Sequence, residues 1–371
     1  MSKKAKTKHE NFMRLALKLA RRAKGKTSPN PLVGAVVVKA GQIVGKGYHK
    51  KAGLAHAEVE ALRQAGKKAS GARLYVTLEP CTHFGRTPPC IHEIKKYGIK
   101  EVIFAMYDPN PVNEGKAEKF LTAHGTKVVS GVLEQQARDV NRVFVKYITK
   151  KLPFVTVKIA QSLDGKIATS CGDSRWITSE HSRKLVHSLR RQVDAVLIGV
   201  GTALADDPLL TSRNSGRLYA KQPKKIIVDS NLRISPDLKM FSAHSPAEVI
   251  IATTRRASKK KVASFRKRNI TVLVLKEKEK RVDLRDLLKQ LARLEITHVL
   301  IEGGGEVIAS ALREKLVDKM IVFVAPKIIG GREAPTAVEG EGVKKVGRAI
   351  KLRDIKLRRL GPEVIIEGEP I

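Results

Sequence analysis

Between residues 10 and 23 apolar side chains recur at helical spacing, at Phe12, Met13, Leu15, Ala16, Leu19 and Ala20, within an otherwise basic stretch. That period predicts an amphipathic helix with one inward face. The turn-rich TSPNP follows, then LVGAVVV (32–38), a continuous apolar run of the kind a buried strand carries. A second short strand is predicted near IVGKGYH, a helix in AEVEALRQAG, and further strands in ARLYVTL and EVIFAM, the last ending at DPNP. Strands alternating with helices predict a layered α/β domain with its functional loops at strand ends.

At 149–153 the chain reads TKKLP, a charged and proline-punctuated joint. Strand-like apolar runs then resume in FVTVKIA, DAVLIGVG, KIIVD, AEVIIAT, THVLIEGGG and KMIVFVAP, with helical patterns between several of them. A second α/β domain is therefore expected, with domain bounds of 1–150 and 151–371. The segment EKEKRVD reads as a solvated charge run. No internal repeat and no low-complexity segment interrupts either half.

A chain of 371 residues exceeds the usual single domain, which agrees with two. At 42% hydrophobic and 29% charged it can bury real cores. Three cysteines cannot form a secreted-type disulfide framework, and the first residues lack the long apolar centre of a signal peptide. No apolar run approaches the roughly 20 residues of a membrane-spanning helix. The expectation is a soluble cytoplasmic protein without membrane contact. The net charge of +36 keeps nucleic-acid binding open. The basic residues are spread along the chain, however, and aromatics at 4% are too few for a row of base-stacking platforms. A generally basic surface, or attraction to phosphorylated small molecules, explains the charge equally.

The first chemical constellation begins with His56-Ala57-Glu58 at the start of a helical pattern. Residues two apart on a helix point to different sides, so a shared site requires this motif to straddle a loop–helix junction. A later strand delivers EPCTHFGRTPPC, with Cys81 and Cys90 separated by eight residues. One imidazole and two thiolates are the donor set of a catalytic zinc whose fourth position is open to water. Zinc lowers the pKa of that water, and a nearby non-ligand carboxylate, Glu58, can carry its protons. The zinc-deaminase signature is H-x-E followed by P-C-x-x-C. H-A-E and P-C are present here, with the second cysteine displaced. The plain alternative is a helix-capping His56, a solvated Glu58 and two buried thiols. Cys171, in TSCGDS, has no such company and reads as an incidental thiol.

TSPNPLVGAVVV, GKGYHKKAGLAHAEVEAL, YVTLEPCTHFGRTPPC and FAMYDPNP together resemble the deaminase half of the bifunctional riboflavin-biosynthesis deaminase/reductases. In that family the long spacing between the metal cysteines is the rule. The resemblance spans about residues 10–115 and implies zinc on His56, Cys81 and Cys90, with Glu58 as proton shuttle. It also implies substrate contacts from Asn30, His49 and Arg86, with Asp108 and Asn110 as further candidates. Asn30 offers donor and acceptor to a heterocycle edge, and Arg86 a fork for phosphate. After DPNP the family carries a glycine-rich continuation, whereas this chain reads VNEGKAEKF.

In the second half SLDGKIA, DSRWIT, GTALADDPLLTSR, IEGGG and FVAPKIIGG occur in the order of the same family's reductase half. Taken alone, neither glycine cluster matches G-x-G-x-x-G, and each is also compatible with a tight strand–helix turn. The resemblance implies a cytidine-deaminase-like three-layer α/β domain followed by a dihydrofolate-reductase-like α/β domain. It implies NADPH lined by Ala160, Trp176, Thr202, Asp206, Ser230, Gly304 and Gly305. Substrate would be held by Ser174, Arg190, Leu210, Arg213 and Glu302. The arginines suit a phosphate. No residue stands out as acid or base, so reduction would rest on positioning, with Lys158 and Asp206 as candidates for more.

The implied function is zinc-dependent deamination of a phosphorylated diaminopyrimidinone riboside, followed by NADPH-dependent reduction of its ribosyl chain to ribityl. A homo-oligomer is expected. The rival readings are a nucleoside or nucleic-acid deaminase with an added domain, and a basic nucleic-acid-binding protein on an old enzyme fold. The cysteine spacing and the reductase-like half speak against the first, and the intact His-Glu-Cys-Cys set against the second.

Overall fold

The structure is a computed structural model that describes residues 3–85, 87–242 and 247–371. The chain divides into two compact units, Met1–Lys151 and Leu152–Ile371. Arg86, predicted to contact the substrate, lies outside the described residues.

The first unit runs α1 (Lys3–Arg21), β1 (Gly34–Lys39), β2 (Gln42–Tyr48), α2 (Ala57–Ala65) and β3 (Arg73–Val76). It continues with α3 (Cys90–Lys96), β4 (Glu101–Phe104), α4 (Lys116–Ala123), β5 (Lys127–Val129), α5 (Glu134–Val140) and α6 (Arg142–Lys150). The predicted first helix is extended at its start, where lysine and alanine are strong helix formers. The sheet order is β2-β1-β3-β4-β5; β1 pairs antiparallel with β2 and β3, while β3, β4 and β5 are parallel.

Glycines decide how closely helices approach this sheet. A Cβ on Gly34 would fall 2.0 Å from the Ala16 carbonyl oxygen of α1. On the opposite face, a Cβ on Gly47 would fall 2.3 Å from the Ala57 carbonyl oxygen of α2. The sheet is thus sandwiched between α1 and α2, in three layers around buried Val36, Val37, Leu74 and Ile103.

The second unit opens with β6 (Phe154–Ser162), α7 (Glu180–Gln192), β7 (Ala195–Gly199) and α8 (Val200–Asp206). A small hairpin of β8 (Arg213–Asn214) and β9 (Arg217–Leu218) precedes β10 (Lys224–Val228), β11 (Val249–Thr254), α9 (Lys259–Lys267) and β12 (Thr271–Leu275). A second hairpin, β13 (Glu277–Lys278) and β14 (Arg281–Val282), leads to α10 (Leu284–Arg293), β15 (His298–Gly303) and α11 (Gly305–Arg313). The unit ends with β16 (Lys319–Ala325), β17 (Leu352–Leu360) and β18 (Glu363–Pro370).

Its nine-stranded sheet has the order β12-β11-β10-β7-β15-β6-β16-β18-β17, parallel as far as β16 and antiparallel thereafter. Central β7, AVLIG, is buried at every position, as a parallel strand covered on both faces must be. Helix α10 turns Leu284, Leu287, Leu288 and Leu291 inward. Its N-terminus is capped by Asp283, whose carboxylate accepts from Arg285 N at 2.9 Å and Asp286 N at 3.1 Å, worth about 1 kcal/mol.

The order of connection reverses around β15, which lies between β7 and β6. The carboxyl ends of these strands form the crevice where such sheets take ligands. Asp164 braces its rim: Oδ1 accepts from Ile329 N at 3.1 Å and Oδ2 from Gly330 N at 2.7 Å, joining SLDGK to KIIGG. The run EKEKRVD is exposed from Glu277 to Arg281, as expected of solvated charge, and it also supplies the β13–β14 hairpin, in which Val282 N donates to Ser230 Oγ at 3.0 Å.

Candidate active sites

In the first unit, three different local structures aim three ligand atoms at one point. His56 is the extended N-cap residue of α2, Cys90 is the first residue of α3, and Cys81 lies in the loop after β3. The expected loop–helix junction therefore exists, and it lets His56 and Glu58 serve one site. His56 Nδ1 lies 2.9 Å from Cys90 Sγ and 3.4 Å from Cys81 Sγ, and the two sulfurs are 3.3 Å apart. A tetrahedral zinc with Zn–S near 2.3 Å and Zn–N near 2.0 Å wants its ligand atoms roughly 3.5 Å apart. The triangle fits that ion. His56 Nε2 lies 2.9 Å from Thr87 Oγ1, so a proton on Nε2 donates to Thr87 and leaves the Nδ1 lone pair for metal.

Hydrogen bonding to Cys90 holds the Cys81 thiol well below its ordinary pKa, and the same contact together with burial pushes Cys90 up. One thiolate is thus already favoured. Burial of His56 is outweighed by its contact with Cys81, which raises the imidazole. Glu58 is buried against the Cys90 thiol, and burial raises its carboxyl above the usual range.

Asn30 and His49 stand beside this group. Asn30 Nδ2 lies 3.1 Å from His49 Nε2, and His49 Nδ1 lies 3.2 Å from the Ala55 carbonyl oxygen. The His49 ring meets His56 edge-on with centroids 5.3 Å apart, and burial lowers its pKa. Asp108 is buried with its pKa pushed up to about 6, mainly by burial. Its Oδ1 accepts from Asn110 N at 2.9 Å.

Sequence reading missed Thr87, Glu79 and Asn113. Glu79 is buried and accepts from Gly115 N and Ala117 N, both at 3.0 Å, tying the cysteine-bearing segment to the start of α4. Its only sequence signal was adjacency to Pro80-Cys81.

In the second unit, eleven of the twelve predicted residues surround one cavity of about 630 Å³. The predicted substrate group, Ser174, Arg190, Leu210, Arg213 and Glu302, lies on its wall. So do Ala160, Trp176, Thr202, Asp206, Gly304 and Gly305 from the predicted cofactor group. Ser230 is the exception: it borders a neighbouring crevice of about 440 Å³ that shares Gly304 and Gly305, together with Arg233, Lys280 and Arg281. Gly304 adopts φ +87°, and a Cβ there would stand 3.3 Å from Gly199 N, so the backbone cradle between β7 and α11 exists only without a side chain. That cradle at a helix N-terminus fits a phosphate-bearing dinucleotide; on the same crevice the three cations stand with the carboxylates of Glu306 and Glu339.

Within the larger cavity Arg190 and Glu302 form a half-buried bidentate pair. Arg190 Nη1 and His187 Nδ1 both lie near the Thr211 carbonyl oxygen, at 3.0 and 2.9 Å. Arg213 Nε donates to Thr211 Oγ1 at 2.8 Å. Lys158 also lines the wall, and burial lowers its pKa against the opposing pull of Glu302. Ser174 Oγ approaches Asp206 Oδ1 at 3.5 Å. Trp176 lies with the Arg183 guanidinium 4.4 Å over its ring. His187 and Thr211 were not anticipated; Thr211 was hidden inside the motif ADDPLLTSR.

Residues 153–366 match the family model described as the RibD C-terminal domain, and residues 6–106 match that of the cytidine and deoxycytidylate deaminase zinc-binding region. The riboflavin biosynthesis protein RibD of Aquifex aeolicus is 46% identical over 96% of this chain and 97% of its own length. Among solved structures, RibD of Acinetobacter baumannii superposes with a TM-score of 0.89 at 34% identity, covering 99% of each chain. The diaminohydroxyphosphoribosylaminopyrimidine deaminase/5-amino-6-(5-phosphoribosylamino)uracil reductase of Thermotoga maritima gives 0.84 at 35% identity, over 99% of this chain and all of that one.

Proposed function

The chain belongs to the RibD family of riboflavin-biosynthesis proteins, and from that premise we propose its substrate and the role of each residue. It is a bifunctional enzyme, with a zinc-binding, cytidine-deaminase-like unit and a dihydrofolate-reductase-like unit that uses NADPH. The substrate is 2,5-diamino-6-ribosylamino-4(3H)-pyrimidinone 5′-phosphate. Water replaces one ring amine and ammonia leaves; the ribosyl group is then reduced to ribityl with the phosphate retained.

The observation that carries the first step is the convergence of His56, Cys81 and Cys90 beside a buried carboxyl that is not among the three ligands. Zinc, when bound there, supplies Lewis-acid activation of the attacking water. Glu58 takes the proton released by that water and delivers it to the departing amine, and burial raises its affinity for that proton. His49 fixes the Asn30 amide, whose oxygen is left for a donor on the pyrimidine edge. To Arg86 we assign binding of the phosphate of the same substrate, for which a guanidinium offers a fork of donors.

In the second step NADPH, when bound, supplies the reducing equivalent. Gly304 and Gly305 admit its pyrophosphate, while Ser230, Arg233, Lys280 and Arg281 border the phosphate-bearing end. Ala160, Thr202, Asp206 and Trp176 line its course along the larger cavity. Arg190 and Arg213 hold the substrate phosphate, Ser174 and Leu210 flank it, and Glu302 with Lys158 orients the ribosyl hydroxyls.

The protein acts as a cytoplasmic homo-oligomer. Among the described residues no helix is long and apolar enough to cross a membrane. Edge strand β17 leaves Ile355 and Leu357 exposed by 56% and 68%, an edge that a second copy would cover.

The zinc-loaded protein, given the phosphorylated diaminopyrimidinone, is expected to release one ammonia before NADPH is oxidised. Absence of ammonia release overturns the deaminase assignment. NADPH oxidation that precedes ammonia release reverses the order of the two steps.

A further inference from the structure

Cys81 is the ligand that no regular element holds. Cys90 takes its direction from α3 and His56 from the N-terminus of α2, whereas β3 ends at Val76, before Cys81. Something else must fix the peptide that carries this thiolate.

That role falls to a residue in VNEGKAEKF, the stretch that replaces the family's glycine-rich continuation. Asn113 is fully buried, and its amide fills all four of its hydrogen-bonding positions. Oδ1 accepts from the Thr82 N–H and from the Thr82 hydroxyl, both at 2.8 Å. Nδ2 donates to the Pro80 carbonyl oxygen at 3.1 Å and to Asp108 Oδ2 at 3.2 Å. Pro80 and Thr82 are the two chain neighbours of Cys81. We propose that Asn113 is a positioning residue for the metal centre: its amide spans Cys81 and sets the direction of the thiolate toward Cys90 and His56.

The anchor is itself fixed. Asn113 N donates to the Asn110 carbonyl oxygen at 2.8 Å, and Glu79 accepts from Asp108 N, Gly115 N and Ala117 N at 3.0 to 3.2 Å. The clamp therefore joins the loop after β3 to a braced loop after β4. A glycine at residue 113 would brace nothing, and a valine would leave Thr82 N–H and the Pro80 carbonyl without these partners. Asparagine is the short side chain that can accept from one neighbour of Cys81 while donating to the other. Groups that orient metal ligands in this way typically affect metal affinity about 10- to 100-fold.

The inference rests on the zinc reading, and the two are separable in one experiment on the full-length chain. Zinc affinity is measured by chelator competition, and thiolate ligation by the charge-transfer band of the cobalt-substituted protein. NADPH oxidation with pre-deaminated substrate reports the fold of the second unit, and circular dichroism that of the first. Wild type that binds no zinc overturns the zinc reading itself. With wild type bound, Asn113→Ala is expected to lose affinity about 10- to 100-fold and to show a weakened thiolate band, with reductase activity retained. Asn113→Asp keeps the two acceptor bonds to Thr82 but sets a carboxylate oxygen against the Pro80 carbonyl and Asp108, and is expected to lose the band as alanine does. If Asn113→Ala fails to fold, Thr82→Val, which removes one bond of the clamp, is expected to show a smaller loss of the same kind. Wild-type affinity and an unchanged cobalt spectrum in the folded variants overturn the proposal.

Discussion

Arg190 and Glu302 face one another across the wall of the reductase cavity through two parallel bonds, Nε to Oε1 and Nη2 to Oε2, each 2.7 Å. Burial alone would raise the Glu302 carboxyl, but the guanidinium outweighs it and holds the carboxyl below its ordinary range. Lys158 is a third, half-buried basic group in the same cluster.

Glu302→Ala leaves Arg190 and Lys158 as half-buried cations without their anion. Breaking a fully buried pair from one side costs roughly 3–5 kcal/mol, and the partial exposure of Arg190 places this pair below that range. The expected outcome is a lowered thermal midpoint for the second unit and loss of NADPH oxidation, with ammonia release retained. Glu302→Gln keeps the shape and should lie between wild type and alanine. Equal melting of wild type and Glu302→Ala would show that the pair contributes nothing to the fold.

Glu58→Gln preserves volume and removes the proton carrier. Ammonia release should fall by about 10²- to 10⁴-fold. Bound zinc should remain at one per chain, because the carboxyl is not among the three clustered ligands. Stripping the metal with a chelator should instead abolish ammonia release together with the metal content. In both cases reduction of pre-deaminated substrate should continue at the wild-type rate. A Glu58→Gln protein that still releases ammonia normally removes Glu58 from the mechanism.

Gly47→Ala tests whether the close seat of α2 matters to the metal centre. The added methyl would stand 2.3 Å from the Ala57 carbonyl oxygen and 2.6 Å from Ala61 N, both backbone atoms. Helix α2 must move, and it carries Glu58 in its first turn with His56 as its cap. Overpacking of this kind costs about 1–3 kcal/mol or more. Ammonia release and zinc content should both fall while NADPH oxidation is retained. Wild-type zinc content in this variant would mean that the helix has room the geometry does not show.

The parts of the molecule that were legible in sequence are those whose signal is local. H-A-E marked a loop–helix junction because two residues two apart can share a site only there. Strands such as AVLIG and VIIATT declared themselves as apolar runs. That residues from segments spread between β6 and α11 would border one cavity was legible through the order of their motifs. The clamp of Glu79 and Asn113 was not legible, because its ties between the cysteine-bearing segment and the loop after β4 span 29 to 38 residues and nothing in VNEG announces a buried amide. The β13–β14 hairpin was missed for another reason. Its turn places Glu279 at φ 50° and Lys280 at φ 61°, in left-handed backbone that glycine or asparagine would have advertised. Strand β17, LRDIKLRRL, escaped notice because charged residues outnumber apolar ones on a strand that meets the core only at its ends, through Leu352 and Leu360.

Lys225 gives the clearest dependence of stability on pH. It lies on β10, fully buried, with Nζ donating to the Met240 carbonyl oxygen at 3.3 Å. Burial, reinforced by the charge of Arg213, lowers its pKa from 10.5 to about 8. The folded value lies below the unfolded one, so the unfolded chain binds more protons between them. Stability from this group is therefore fully present above about pH 10.5 and is lost as pH falls through about 8. The swing is on the order of 3 kcal/mol, since a tenfold change in proton affinity corresponds to about 1.4 kcal/mol. Other groups titrate in this range, so the measurement is the difference between wild type and Lys225→Met in denaturant midpoints at several pH values. Losing the bond to Met240 shifts the variant by a constant amount; losing the titration changes the slope. Relative to the variant, wild type should gain stability steadily from pH 8 to 10.5. A difference that stays flat across that interval would mean that Lys225 keeps its ordinary pKa inside the fold.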